Sequence, residues 1–325
     1  MQGRTKEVVR IFSLSDSDRQ NIRDLLNRII GDSSNTEEHT FLESAAILAS
    51  ELPRSIRECI YDFKLWESSA ALLITRNPIS SQDIGPTPDS HWRPGEKRPL
   101  GVAQILHGLY SSLLGEPFGF ETQQYGRIFN DLIPLKGMPS NSSSGSGDIG
   151  LHTEDCFQPF MPDYLGLMCL RNEQRAKTTV SSIWNVELPE EIRRVLWEER
   201  FAPKLSIINS TEAVAKRSVL FGDPAQPYMR FGSIDYETCD LEATAAMRFL
   251  ATLLERNRQT ITLNQGDCLY VDNYYAVHGR AAYQAEYGAN GRWFSRLVMA
   301  RDLRKTRTFR SAPEKRVMLK HTYAN

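Results

Sequence analysis

The stretch Leu151-His152-Thr153-Glu154-Asp155 places a histidine and a carboxylate two residues apart. In a β-strand, residues two apart project to the same face, so His152 and Glu154 can bind one metal ion together. A second segment, Val277-His278-Gly279-Arg280, offers another histidine far along the chain. Two histidines and one carboxylate form the facial ligand set that is typical of non-haem iron(II) sites. We therefore predict a metal site at His152, Glu154 and His278.

The composition fits one large domain that binds a small molecule. The chain has 325 residues, 41% of them hydrophobic, and 39 basic side chains balance 40 acidic ones. A near-zero net charge gives no electrostatic reason to expect binding to nucleic acid or to a membrane surface. The five cysteines are scattered without a CxxC pair, which indicates neither a disulfide framework nor a zinc–thiolate cluster.

No targeting segment is expected. The first ten residues are polar and charged, and no apolar run approaches the roughly 18 residues that cross a bilayer. We expect a cytoplasmic protein with reduced cysteines and without a membrane or nucleic-acid partner.

Helical periodicity is strongest in the N-terminal third. Apolar spacing predicts helices over 15–31, 41–52, 102–114 and 241–257, and a further helix that begins near Pro189. Ser15 is the predicted N-cap of the first helix, with Asp18 three residues later. We expect the helices of about residues 1–70 to form a buttress beside the core of a single domain over 1–325.

Short apolar segments between turns predict strands over 71–76, 164–170, 177–181, 268–272 and 293–300. His278 is expected just past the end of the strand over 268–272. Many short strands, preceded and interrupted by helices, indicate a mainly β fold with helical decoration around a double-stranded β-helix (jelly-roll or cupin-like) core. The mouth of such a barrel is concave and rigid, which suits a metal site.

The segment of about residues 136–150 is rich in serine and glycine and directly precedes the predicted metal strand. Such a composition buries too little apolar surface to order itself. We predict a flexible lid that excludes water from the site, with a mobile surface loop as the alternative.

Two arginines follow His278 in the last predicted strand. Arg292 lies fourteen residues after His278, and Arg296, four residues later, projects to the same face of the strand. Arginine binds a carboxylate through two parallel hydrogen bonds and stays charged. Iron enzymes that use 2-oxoglutarate require such a cation for the far carboxylate of the cosubstrate. Arg292 is therefore the candidate clamp, and Arg296 could hold a second carboxylate; the alternative is that both are surface charges.

Longer segments strengthen this interpretation: residues 152–172, 266–273 and 277–280, with further similarity at 84–88, 119–126, 228–230 and 292–304. In combination they resemble the clavaminate synthase-like iron(II)/2-oxoglutarate oxygenases. Within that family the chain is similar to hydroxylases of free amino acids, namely the arginine 3-hydroxylases of viomycin and capreomycin biosynthesis and the asparagine oxygenase of lipopeptide biosynthesis. The resemblance implies a natural-product enzyme that uses iron(II), 2-oxoglutarate and O2 to hydroxylate C3 or C4 of an amino acid.

The resemblance also implies roles for individual residues. The three predicted metal ligands match the iron ligands of the family. Arg292 matches the arginine that binds 2-oxoglutarate, and Thr179 or its neighbour Thr178 matches the threonine that supports it. Gln123 matches a glutamine that, with the ligating glutamate, receives the substrate α-amino group, and Arg296 matches an arginine near the α-carboxylates. The segment before the metal strand matches the lid of the family.

One departure concerns the side chain of the substrate. In the arginine hydroxylases, a pair of aspartates after a Tyr-x-Arg element binds the guanidinium group. Here Gly232 and Ile234 occupy those places, and only Asp235 remains nearby as a candidate substrate contact. A buried guanidinium without a carboxylate costs several kcal/mol. Arginine, citrulline, asparagine, lysine and a cyclic arginine derivative therefore all remain candidate substrates.

Three other functions stay open at this point. The same site could act as a desaturase or a cyclase if the substrate loses a second hydrogen. A zinc hydrolase with two histidines and one glutamate would need a separate general base and has no use for Arg292. A cupin-like module could also hold a metal ion without turnover.

Overall fold

The computed structural model describes residues 6–32, 36–156, 158, 160–203, 216–232, 236–237 and 240–319. The helices of these residues are α1 (Asp16–Gly31), α2 (Glu38–Ala49), α3 (Arg54–Trp66), α4 (Val102–Leu114), α5 (Glu190–Trp197) and α6 (Leu241–Arg256). The strands are β1 (Glu7–Ser13), β2 (Ser69–Thr75), β3 (Glu116–Phe120), β4 (Asn130–Leu132), β5 (Ile149–His152), β6 (Tyr164–Arg171), β7 (Lys177–Ser182), β8 (Ala202–Pro203), β9 (Leu220–Asp223), β10 (Gln226–Met229), β11 (Tyr236–Glu237), β12 (Gln259–Thr262), β13 (Cys268–Asp272), β14 (Ala276–Arg280), β15 (Trp293–Ala300) and β16 (Val317–Met318).

Two sheets enclose the central core. The larger sheet has the order β1-β2-β13-β6-β15-β3-β16, and β4 also pairs with β15; the smaller sheet has the order β12-β7-β14-β5. Leu165, Leu167, Phe294 and Val298 of the large sheet pack in one cluster with Val180 and Ala276 of the small sheet. The strands of the large sheet alternate between this inner cluster and an outer one, as a period of two requires when both faces are buried.

Helices cover both outer faces. The buried sides of α1, α2, α3 and α4 pack with Leu72, Met168 and Leu297 on the outer face of the large sheet. Residues of α5 and α6 pack with Leu151 and Val277 on the outer face of the small sheet. None of the described helices is both long enough and apolar enough to cross a bilayer.

Most predicted elements are present with nearly the predicted bounds. The Ser15 side chain accepts a hydrogen bond from the Asp18 backbone N–H and caps α1, as the sequence predicts. Strand β1 was not predicted; it lies parallel to β2 at the edge of the large sheet. Only the long-range pairing with β2 distinguishes its short, half-polar sequence from a loop.

The predicted position of His278 is wrong. His278 does not follow the strand over 268–272 as a loose end; it lies in the middle of β14, which belongs to the other sheet and pairs with β5 and β7. A tight turn at Asn273 separates β13 from β14. Sequence periodicity predicts only the strand over 268–272, and it carries no information about which sheet the segment around His278 joins.

Asp272 at the end of β13 gives the fold a testable dependence on pH. The carboxyl group is 3% exposed, and burial raises its pKa to about 7, although the Tyr274 backbone N–H and Arg301 oppose this shift. In the unfolded chain the group ionises near pH 4. The folded state therefore holds this proton more tightly, so the stabilisation is present at low pH and is lost as the pH rises from about 4 to about 7.

We expect the variant Asp272→Asn not to lose this stability as the pH rises. Between pH 5 and pH 8, its free energy of unfolding should rise relative to wild type by about 2–3 kcal/mol. Urea denaturation at several pH values measures the difference, and any constant offset from the amide itself cancels in the comparison. Parallel pH profiles for the two proteins would contradict the assigned burial of this carboxyl group.

Candidate active site

The structure brings His152, Glu154 and His278 together. His278 on β14 is directly opposite His152 on β5 in the antiparallel register, and the centroids of their rings are 4.4 Å apart. One potential ligand atom from each of the three residues lies within 4.8 Å of the others. Two imidazole nitrogens and one carboxylate oxygen form a donor set that fits iron(II) and leaves coordination positions open.

Glu154 reaches this position through a turn rather than by strand alternation. β5 ends at His152, so the predicted strand over the whole His-Thr-Glu motif is wrong. The Thr153 backbone N–H donates to the Phe231 carbonyl at 2.7 Å, and the Glu154 backbone N–H donates to the Asn273 side-chain oxygen at 2.7 Å. Asp155 then adopts a left-handed conformation with φ 49°. These long-range contacts orient the carboxylate toward the histidines.

The surroundings of the two histidines suit metal binding. His152 Nδ1 lies 2.9 Å from the Gly150 carbonyl, so a proton on Nδ1 leaves Nε2 free to bind a metal ion. Burial lowers the pKa of His278, and the neighbouring His152 adds to this effect. A neutral imidazole is the form that binds metals.

Arg296 holds the carboxylates of the site. Its guanidinium donates to Glu154 Oε1 at 2.7 Å, Asp155 Oδ2 at 2.8 Å, Asn130 Oδ1 at 2.9 Å and Gln123 Oε1 at 3.1 Å. The Gln123 amide also donates to Asp155 Oδ1 at 2.7 Å. Burial raises the pKa of Glu154, but Arg296 together with His278 and His152 outweighs burial and holds that pKa well below its usual range. These neighbours keep Glu154 ionised, and its Oε2 lies 3.1 Å from His278 Nε2.

Arg292 is a buried cation of a different kind. It precedes β15, is 4% exposed and lies over the Phe294 ring, with its Cζ 4.1 Å from the ring centroid. Its Nε has no hydrogen-bond partner, and no described carboxylate lies within ion-pair distance. Burial lowers its pKa to about 10, and Tyr283 offsets this only in part. An anionic group of a small molecule would compensate this charge, so the surroundings of Arg292 fit one carboxylate of 2-oxoglutarate.

The structure separates the two threonines that the resemblance left as alternatives. Val180 of β7 and Ala276 of β14 belong to the core between the sheets. By strand alternation, Thr178 faces the same side of the small sheet as Val180, and His278 on β14 faces that side as well. Thr179 faces the opposite side. Thr178 is 4% exposed. Of the two, Thr178 is therefore better placed to contact a small molecule in the pocket.

The remaining candidate, Asp235, lies outside the described residues, as does Ile234. Gly232 is described and forms a bridge with His152. Sequence reasoning missed two residues that shape the site, Asp155 and Asn273. The position of Asp155 next to Glu154 was a signal that could have been used. Asn273 is fully buried and also donates to the Glu154 carbonyl at 3.0 Å, a contact that no local pattern indicates.

Comparisons with known proteins agree with this geometry. The profile of the family described as "Taurine catabolism dioxygenase TauD, TfdA family" matches residues 101–298. The chain belongs to this family. It is 32% identical to the enduracididine beta-hydroxylase of Streptomyces hygroscopicus, over 91% of this chain and 95% of the relative. It is also 32% identical to the L-ornithine/L-arginine 3-hydroxylase of Catenulispora acidiphila, over 94% of this chain and 99% of the relative.

A solved structure shows the same fold. The non-heme iron oxygenase OrfP, in complex with Fe, succinate and (3S)-hydroxy-L-Arg, superimposes with a TM-score of 0.86 at 31% identity, covering 95% of this chain and 99% of OrfP. The predicted family, the double-stranded β-helix fold and the class of iron- and 2-oxoglutarate-dependent dioxygenase are confirmed. The roles of individual site residues stay predictions.

Proposed function

We propose that this protein hydroxylates a free amino acid of the arginine class in natural-product biosynthesis, with iron(II), 2-oxoglutarate and O2. One observation supports this most directly. Arg296, Gln123 and Asp155 form a buried, hydrogen-bonded cluster that contacts Glu154 beside the two histidines. Such a cluster offers a cation and several acceptors, the groups that bind the carboxylate and the ammonium of an amino acid.

In this proposal, His152, Glu154 and His278 hold the iron, and Arg292 with Thr178 holds 2-oxoglutarate. When bound, the metal would let O2 oxidise both substrates: one oxygen atom converts 2-oxoglutarate to succinate and carbon dioxide, and the other is inserted into a C–H bond of the amino acid. The protein contributes orientation. Arg296 fixes Glu154 Oε1, which leaves Oε2 as the oxygen directed toward the metal.

The amino-acid end of the substrate would lie against the cluster formed by Gln123, Glu154 and Arg296. The Gln123 Oε1 atom and the Glu154 carboxylate can accept hydrogen bonds from the α-ammonium, and the Arg296 guanidinium can attract the α-carboxylate. This arrangement holds the two carbons that follow Cα near the metal. It supports hydroxylation at C3 or C4, and the names of the two relatives, a beta-hydroxylase and a 3-hydroxylase, favour C3.

The side chain of the substrate has fewer identified contacts than its α-ammonium and α-carboxylate groups. Gly232, beside His152, offers no carboxylate to a guanidinium group. Among the relatives, the enduracididine hydroxylase is a precedent for a cyclic arginine derivative and the L-ornithine/L-arginine 3-hydroxylase is a precedent for arginine, so both are leading candidates. Citrulline, asparagine and lysine complete the set to be tested.

A substrate panel tests the function. We expect purified protein with iron(II), O2 and 2-oxoglutarate to form succinate together with a product one oxygen atom heavier from at least one of these amino acids. The matched N-acetyl amino acid and methyl ester should be turned over at least about tenfold more slowly, because each removes one charge that the cluster binds. A product two hydrogens lighter would identify a desaturase or cyclase. Failure to form succinate with the whole panel would favour a zinc hydrolase or a non-catalytic metal-binding module.

We further propose that residues 1–325 act as one domain, with the helices of about 1–70 as its buttress and residues 136–150 as a lid. A cytoplasmic location is also proposed. No disulfide bond joins the cysteines among the described residues, which suits a reducing compartment. Subcellular fractionation of a producing cell would test the location directly.

A further inference from the structure

Arg280 at the end of β14 is a buried cation surrounded by backbone carbonyls. It is 5% exposed. Its guanidinium donates to the carbonyls of Gly147 at 2.8 Å, Ser142 at 3.2 Å, Ser143 at 3.3 Å and Ser140 at 3.4 Å. Within the described part of the chain, no carboxylate lies within ion-pair distance of this group. The dipoles of one loop, residues 139–147, therefore take the place of a counter-ion.

The serine and glycine residues of the loop allow its backbone to fold closely around Arg280. Gly147 N–H donates to the Ser140 carbonyl at 2.7 Å, which closes the loop around Arg280. A Cβ atom at Gly145 would lie only 2.2 Å from the Pro139 carbonyl oxygen, so a larger residue does not fit there. Ser144 is 1% exposed, although the composition of the segment predicts a solvated chain. Hydrogen bonds rather than an apolar core thus hold the loop: four come from Arg280, and others join Ser144 to His91 and to the Leu135 N–H.

Tyr283 connects this loop to the cosubstrate pocket. Its backbone N–H donates to the Ser146 carbonyl at 2.9 Å, and its hydroxyl donates to the Gly145 carbonyl at 3.4 Å. The same ring lies near two guanidinium groups, with its centroid 5.3 Å from Arg280 Cζ and 5.7 Å from Arg292 Cζ. The loop and Tyr283 therefore form one wall beside Arg292.

We propose that Arg280 is a positioning residue for 2-oxoglutarate. It holds the 139–147 loop and Tyr283 as a wall that keeps water away from the carboxylate bound at Arg292. Excluding water strengthens an ion pair, because the local dielectric constant falls. The inference rests on the proposed use of 2-oxoglutarate by this site, and it assigns to Arg280 a role that acts through the loop rather than through direct contact.

The variants Arg280→Gln and Arg280→Lys test this role, with Arg310→Gln as the matched control. Arg310 is also 5% exposed. Its guanidinium donates to the backbone carbonyls of Leu303, Ala312, Pro313 and Lys315. The control therefore removes a comparable buried, carbonyl-bound arginine from a different segment.

We expect Arg280→Gln to raise the KM and the dissociation constant for 2-oxoglutarate by at least about tenfold, with kcat and the KM for the amino acid within about twofold of wild type. Hydrogen exchange at the amides of residues 140–147 should become faster in the protein without ligands. Arg280→Lys should have a 2-oxoglutarate affinity and a loop exchange rate between those of wild type and Arg280→Gln, because an ammonium group reaches fewer carbonyls than a planar guanidinium. Arg310→Gln should leave both loop exchange and 2-oxoglutarate binding unchanged.

Two results would overturn the inference. The first is faster exchange of the loop with wild-type affinity for 2-oxoglutarate, which would remove the link between the wall and the pocket. The second is an equal loss of affinity for metal, amino acid and 2-oxoglutarate, which would indicate general damage. A wild-type protein that does not bind 2-oxoglutarate in a thermal-shift titration would refute the proposed function as well, so the two failures are distinguishable.

Discussion

Replacement of His278 by alanine is expected to lower kcat/KM for the amino-acid substrate by more than about 100-fold. Partners that only orient a metal ligand already contribute 10–100-fold to affinity or activity, and His278 would be a ligand itself. The variant should also lose bound iron on dialysis, because two of the three donors cannot hold a divalent ion with comparable affinity. Succinate formation and metal content after dialysis measure the two effects.

His39 provides the matched control for this substitution. It is exposed on α2, so His39→Ala should retain wild-type activity and iron content. His152→Ala is expected to behave like the His278 variant, since the two rings face one another. Retained turnover in either variant would remove that histidine from the proposed metal site.

Replacement of Arg292 by methionine is expected to raise the KM for 2-oxoglutarate by more than about 100-fold and, at the same time, to stabilise the protein without ligands by about 1–3 kcal/mol. The two effects have one cause. The guanidinium is buried without a carboxylate partner among the described residues, so its desolvation is compensated in full only when an anion binds. Methionine fills similar volume without a charge.

Denaturation with and without 2-oxoglutarate separates the two effects. A ligand at 100 times its dissociation constant stabilises wild type by about 2.7 kcal/mol, and this increment should vanish in Arg292→Met. Arg296→Met is the contrasting variant. It leaves Glu154 and Asp155 buried without their partner, so it should destabilise the protein by about 3–5 kcal/mol. A loss of stability in Arg292→Met without ligand would contradict the assignment of an uncompensated cation.

The sequence predicted which residue types form the site better than it predicted how the chain brings them together. The candidate metal ligands and Arg292 could be proposed from the sequence because the chemistry restricts which residue types can serve. The path of the chain between them could not be read. Glu154 lies in a turn that depends on Asn273, and His278 belongs to a strand of the opposite sheet. Both facts come from contacts between residues more than 90 positions apart, for which local periodicity has no signal.

The segment of about residues 136–150, before the metal strand, is a second case in which the sequence did not predict the long-range contacts. Its serine and glycine content predicts a chain that cannot order itself, because it buries little apolar surface. In the structure, its carbonyls enclose Arg280, a residue more than 130 positions away. Whether the loop opens during turnover stays a prediction, and the exchange experiment on Arg280→Gln measures how firmly it is held.

The sequence by itself determined the family, the β-rich class of fold, most of the described helices, five strands of the two sheets, and the residue types that can bind a metal ion and a keto-diacid. These follow from local periodicity and from the restricted chemistry of ligands. The tertiary structure decided the neighbours of each charge. It paired Arg296 with two carboxylates, left Arg292 without one and favoured Thr178 over Thr179, because burial and partners depend on how the two sheets face each other.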